Sequence, residues 1–124
     1  MSYSVTVTKD NETEPVEIMQ HYPEAGGGIP TFISTACIGI TYNYSEFYDD
    51  VFGKHGLRIF DGMPVALARG VLTKAIAQLG RMKTGNYFDK TAGNAGAALD
   101  EIKLLIEHAQ HFHPDTPLRL QVSN

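Results

Sequence analysis

The stretch Asn86–Lys103, NYFDKTAGNAGAALDEIK, carries the most suggestive chemistry in this chain. Tyr87 and Phe88 precede Lys90 and the run Thr91-Ala-Gly-Asn-Ala-Gly, and a helical pattern follows at once. A helix start this bare of side chains offers its backbone N–H groups to an anion, because the first four lack intrahelical partners and lie at the positive end of the dipole. The two aromatics suit a nucleobase, whose stacking contributes roughly 1–3 kcal/mol. The spacing is neither that of the phosphate-binding loop G-x-x-x-x-G-K-[ST] nor that of G-x-G-x-x-G. Thr91 or Asn94 as an ordinary N-cap accounts for the same residues with no ligand at all.

Two other constellations compete with it. Glu107, His108, His111, His113 and Asp115 lie close together, and His108 and His111 share a helix face at i, i+3. They could hold zinc, yet the spacing matches no strong zinc signature, and histidines at a helix C-terminus also complement the dipole. Cys37 lies within a strand-like run, where a buried thiol is an inert small hydrophobe. No Gly-x-Ser-x-Gly turn or distinct carboxylate pair is present, so no catalytic residue, resident metal or cofactor is expected.

The elements that must position these residues follow from periodicity. Tyr3–Thr8 alternates as a strand, Val16–Met19 is a short second one, and Asp10-Asn11 between them suggests a hairpin. Residues 21–30, with Pro23, three glycines and Pro30, read as a loop that is either a connector or a lid. Thr31–Tyr44 is the strongest strand, with a bulge expected at Gly39. Ser45 would cap a short helix over Glu46–Phe52, and Leu57–Phe60 reads as a strand. Asp61 would cap a long helix whose apolar stripe is Val65, Ala68, Leu72, Ala75, Ile76 and Leu79, with Gly80 as its stop. A second long helix carries Ala98, Leu99, Ile102, Leu105, Ile106 and Ala109 and ends at Pro114; Leu118–Val122 closes the chain as a strand. Sheet first and helices later, without βαβ alternation, predicts an α+β fold. It has an N-terminal antiparallel sheet packed with two long C-terminal helices and one short helix.

At 124 residues the expectation is one domain spanning 1–124. The lone Cys37 excludes a disulfide within the chain and fits a reducing compartment. The polar N-terminus has no signal-peptide core, and no apolar run approaches the roughly 18 residues of a membrane helix, so a cytosolic protein is expected. The net charge of −4 is uneven. Residues 1–53 hold one base against eight acids, a net of −7, and residues 54–124 hold nine bases against six acids, a net of +3. Binding along DNA or RNA is disfavoured, whereas a compact anion is admissible in the second half.

Four segments, GITYNYSEFYDDVFG (39–53), GLRIFDGM (56–63), NYFDKTAGNAGAAL (86–99) and FHPD (112–115), together resemble the Thoeris anti-defence sponges of phages and prophages. The likeness covers about residues 39–115. It implies a non-enzymatic protein that binds cyclic ADP-ribose isomers and keeps this immune signal from its effector in the cytoplasm of an infected bacterium. It further implies a homo-oligomer built on dimers, a hexamer among the options, with ligand at subunit contacts. Carried over by motif, the ligand residues are Arg58, Phe88 and Asn94, with His113 at a position of departure; Thr91, Gly93 and Asn43 join them as candidate ligand residues, and Arg119 stands in reserve. His113 stands where relatives carry arginine, replacing a permanent forked charge with one mostly neutral at pH 7. The alternatives are an inhibitor that binds a host or defence protein directly, suggested by the acidic first half and by Tyr42, Tyr44, Phe47 and Tyr48, and a small metal-dependent hydrolase.

Overall fold

The computed structural model describes residues 2–21 and 30–124, with side chains described outside 19–21 and 30–33. The elements run β1 (Ser2–Lys9), β2 (Glu17–His21), β3 (Pro30–Thr35), β4 (Cys37–Thr41), a 3-10 turn at Tyr42–Tyr44 and α1 (Ser45–Phe52). A second 3-10 turn at Gly56–Phe60 then leads to α2 (Val65–Leu79), α3 (Ala92–Phe112) and β5 (Leu118–Ser123). One antiparallel sheet has the order β4-β1-β5, and β2 and β3 form a second, two-stranded sheet. The fold is α+β, as its sequence pattern predicts. Among the described residues no helix is long and apolar enough to cross a membrane.

Alternation decides which face of the larger sheet is buried. Leu118, Leu120 and Val122 of β5 turn inward beside α2 and the second 3-10 turn, and Val5 and Val7 of β1 with Ile40 of β4 turn inward against the apolar stripe of α3. That stripe runs from Ala95 through Leu99, Ile102 and Ile106 to Ala109, as its helical spacing requires. The opposite face carries the other register: Ser2, Ser4 and Thr6 beside Cys37, Gly39 and Thr41.

Several local expectations are corrected. Asp10-Asn11 does turn the chain, with Asn11 at φ 65, but β1 and β2 make no hairpin. β1 is the central strand, both its edges are taken by β4 and β5, and the returning chain makes only the isolated bridge Thr8–Pro15. The Thr31–Tyr44 strand is broken at Ala36, which crosses between sheets by bonding Val16 and Val7. Gly39 pairs regularly with Ser4 and is no bulge. Thr41 Oγ1 accepts the Asn43 N–H at 3.3 Å and curls the chain out of β4. The strand expected at Leu57–Phe60 is a 3-10 turn, since Leu57 and Phe60 bury together at a spacing of three. Ser45 opens α1 without capping it, its Oγ meeting Tyr3 Oη at 2.9 Å. Asp61 does not N-cap α2 either; its N–H closes the second 3-10 turn on the Arg58 carbonyl, its Oδ1 accepts the Val122 N–H at 3.0 Å, and Pro64 precedes α2. Cys37 is exposed, because β4 is an edge strand and this residue lies on its outer face. The expected 21–30 loop has residues 22–29 outside the described residues.

Candidate functional site

The start of α3 is far from bare. Thr91 is the N-cap, its Oγ1 accepting the Asn94 N–H at 3.1 Å, while its carbonyl takes the Ala95 N–H. Asn94 is therefore not the cap, and its side chain ties down the preceding loop. Its Oδ1 accepts the Thr84 N–H at 3.0 Å. Its Nδ2 donates among Thr84 Oγ1 at 3.0 Å and the carbonyls of Asn86 and Asp89, each at 3.1 Å. Thr84 Oγ1 in turn donates to Asp89 Oδ2 at 2.7 Å. Asn94 is only 4% exposed, and both its donor and its acceptor group are tied into this frame.

Glycine makes the second half of the frame. A Cβ on Gly93 would stand 2.0 Å from the Met82 carbonyl oxygen, and one on Gly96 would stand 1.7 Å from that of Gly80. The two glycines share a face at i, i+3, so the backbone of residues 80–82 lies directly on the first turns of α3. A carbonyl oxygen, not open solvent, covers the Gly93 side of the helix start. The open anion-binding turn expected there is thus corrected, at least on that face.

The frame delivers two aromatics to the C-terminal end of β4. The Phe88 carbonyl accepts from Asn43 Nδ2 at 3.0 Å, and the Tyr87 carbonyl accepts from the Tyr44 hydroxyl. Phe88 remains 60% exposed and Tyr87 41%. With Ser2, Gly39, Thr41, Tyr42 and Asn43 they line an open concavity of about 630 Å³. A narrower cleft of about 220 Å³ lies on the other side of Tyr87, bounded by Tyr44, Lys83, Thr84, Asn94 and Glu101.

Buried phenols pack beneath. Tyr48 Oη donates to the Ala95 carbonyl at 3.0 Å. Tyr44 is pushed up to about 12, by burial first and then by the neighbouring Tyr87, Glu101 and Asp89. Burial, followed by Tyr87 and Tyr44, raises Tyr48 further. Tyr87 is raised by burial and Glu101, against the opposing effect of its bond to the Thr41 backbone. An unfolded phenol titrates near 10, so the folded state keeps these protons longer. The cluster's contribution to stability is therefore fully present below about pH 10 and is lost as pH rises toward the folded values. Urea midpoints should fall between about pH 10 and pH 12; a flat profile would show that the phenols ionise without opposing the fold.

Of the residues named from the sequence, Asn43 and Phe88 meet at the concavity, and Thr91, Gly93 and Asn94 build what holds Phe88 there. Arg58 stands at the same end of the sheet, its Nε donating to Asn124 Oδ1 at 3.2 Å just past β5. His113 and Arg119 are not brought to this place. Arg119 pairs with Thr8 and Ser2 pairs with Thr41, six residues away along β1, or about 20 Å. The Arg119 guanidinium is spent on Asp10 Oδ1 at 2.9 Å and the Gly62 carbonyl at 2.7 Å, so it is no substitute for a missing arginine. His113 Nε2 meets the Glu17 carbonyl at 2.7 Å.

The histidine cluster does not assemble. Glu107 pairs with Arg69 at 3.6 Å, and among the described residues no group of three or more His, Cys, Asp or Glu side chains could hold a metal. Of the first-half aromatics, Tyr44 and Tyr48 are wholly buried and display nothing, whereas Tyr42 and Phe47 are partly exposed. Sequence reasoning overlooked Thr84 and Glu101. Glu101 was legible as lying on the Asn94 face of α3, seven residues on. Comparison of the chain with protein-family models, with curated proteins and with solved structures finds no match.

Proposed function

We propose that this chain is a non-catalytic binder that sequesters a cyclic ADP-ribose-type nucleotide signal, as a phage product acting in the cytoplasm of an infected bacterium. The observation that carries the reading is Phe88, exposed at the mouth of the concavity yet fixed through its own backbone by Asn43. Its ring already meets Tyr87 edge to face, with centroids 5.3 Å apart at 84°, and every base offers a π face to such a pair. Asn43 and Thr41 add polar groups suited to ribose hydroxyls. The ligand class itself comes from the motif resemblance. Among the described residues no lysine or arginine lines the concavity, so a pyrophosphate is met by Arg58 from the same sheet end or by a second copy of the chain. That need for a further cation agrees with the oligomer which the resemblance implies.

The test is capture and release. Purified protein is mixed with cyclic ADP-ribose isomers and filtered, and free ligand is followed by mass spectrometry before and after heat denaturation. Depletion reversed intact by heating supports sequestration; ligand returned cleaved means an enzyme; no depletion overturns the reading. Phe88→Ala should weaken capture by about 10- to 100-fold, the equivalent of one lost stack, with little change in melting temperature. Unchanged capture by this variant would remove Phe88 from the site.

A further inference from the structure

We infer that the outer edge of β4 is a docking site for an extended segment of a partner protein, which adds a strand beside Cys37–Gly39 and lays an uncharged aromatic side chain over Gly39. The inference does not rest on the nucleotide reading, because backbone groups and one glycine carry it.

The two edges of the larger sheet are finished differently. Along β5 the chain covers its own edge. The Gly62 N–H donates to the Leu120 carbonyl at 2.8 Å, the Leu120 N–H donates to the Met63 carbonyl at 2.9 Å, and Asp61 Oδ1 takes the Val122 N–H at 3.0 Å. Along β4 only the inner edge is filled, by β1. Ala36, just before β4, turns both backbone groups to that inner side: its carbonyl accepts from Val7 at 3.0 Å and its N–H donates to the Val16 carbonyl at 2.8 Å. Alternation then turns the groups of Ile38 and Ile40 toward β1 and those of Cys37, Gly39 and Thr41 outward. The Tyr87 hydroxyl bonds the Thr41 backbone. Among the described residues nothing bonds the outward groups of Cys37 and Gly39.

Proteins blunt such edges with charge, proline or a bulge. Cys-Ile-Gly-Ile-Thr has no charge and no proline, and it pairs with β1 in unbroken register. A row of outward N–H and C=O groups is matched by another extended backbone, which fixes the class of occupant.

Gly39 selects the side chain. Its φ is not positive, and a Cβ there would meet only Ser2 Oγ at 3.7 Å and the Tyr3 carbonyl oxygen at 3.9 Å, both ordinary contacts. The fold therefore does not require glycine here, and glycine weakens a strand; such a residue marks the close approach of another group. In an added strand the residue opposite Gly39 points to the same face. It lands in the open concavity, on Ser2 and Thr41 and beside Tyr42 and Phe88. An aromatic ring fills the space that glycine leaves and meets other rings there. Among the described residues no charged side chain lines the concavity, so a carboxylate or an ammonium would lose water without gaining a counter-charge.

The test uses fluorescein-labelled heptapeptides that alternate threonine and valine about a central tyrosine, alanine, glutamate or lysine. Binding to the full chain is followed by fluorescence polarisation with no nucleotide present. The tyrosine peptide should bind at least about tenfold more tightly than the other three. N-methylation of its three central residues removes the ladder donors near Gly39 while keeping the side chains, and it should abolish binding. Gly39→Lys, which places a charge on the edge, should weaken binding at least about tenfold with melting temperature unchanged. Equal binding of the methylated peptide means side-chain capture without a strand and overturns the inference. Equal binding of all four peptides, undiminished binding by Gly39→Lys, or binding of no peptide also overturns it. A chain that sediments as a dimer and binds no peptide has paired the edge with its own copy, which overturns the assignment to a partner protein.

Discussion

Replacing Asn94 with alanine is expected to destabilise the chain by about 3 kcal/mol, lowering the melting temperature by about 10 °C, and to abolish ligand capture. The figure comes from a buried amide that accepts one loop N–H and shares its two N–H hydrogens among one hydroxyl and two loop carbonyls, about three bonds' worth at roughly 1 kcal/mol net each. All four partners lie between Thr84 and Asp89, so the loss falls on the segment that carries Tyr87 and Phe88. Asn94→Asp separates this account from a simpler one. If Asn94 mattered through the first turn of α3, an acid there would complement the dipole and stabilise by roughly 0.3–1 kcal/mol. In the frame, the same acid keeps an acceptor for the Thr84 N–H but sets its second oxygen against the carbonyls of Asn86 and Asp89. Asn94→Asp should thus be at least as damaging as alanine. Thermal melting of both variants decides the matter, and a stabilised Asp variant would sink the frame.

How much of this was readable beforehand depends on the distance over which each feature is determined. The two long helices and their stripes were legible, because a period of 3.6 is written into every turn and the burial of Leu72, Leu99, Ile102 and Ile106 follows from it. The fold class followed from the order of elements. Strand pairing was not legible. That β1 lies between β4 and β5 depends on partners over thirty and over a hundred residues away, which no local pattern encodes. The caps failed for a related reason: Ser45 and Asp61 have the right chemistry for N-caps, but Tyr3 and the Val122 N–H claim them first. At the candidate site, Phe88 and Asn43 were read as ligand residues, and their juxtaposition is real. Asn94 and Gly93 were singled out from the same motif, and they serve the site from beneath. The sequence marks a position as special without saying whether a ligand or the chain's own backbone occupies it.

Gly96→Ala is expected to cost about 3 kcal/mol, although alanine is favoured over glycine by roughly 1 kcal/mol within a helix. The added Cβ would lie 1.7 Å from the Gly80 carbonyl oxygen, 2.9 Å from its carbon and 3.2 Å from Leu79 Cβ. None of these is the far end of a flexible side chain. Gly80 is itself fixed, at φ 80 as the residue that ends α2, with its N–H bonded to the Ile76 carbonyl at 2.7 Å. Relief therefore requires the end of α2 to move off α3, and residues 80–91 move with it. Gly70→Ala is the control, since the Cβ there meets nothing within 4 Å and α2 gains propensity, so a stabilisation of about 0.5–1 kcal/mol is expected. Denaturant midpoints of the two variants should shift in opposite directions. Capture should be lost in Gly96→Ala and kept in Gly70→Ala. If both stabilise alike, the approach of the two helices is not set by this contact, and the loop that presents Phe88 must be held by Asn94 alone.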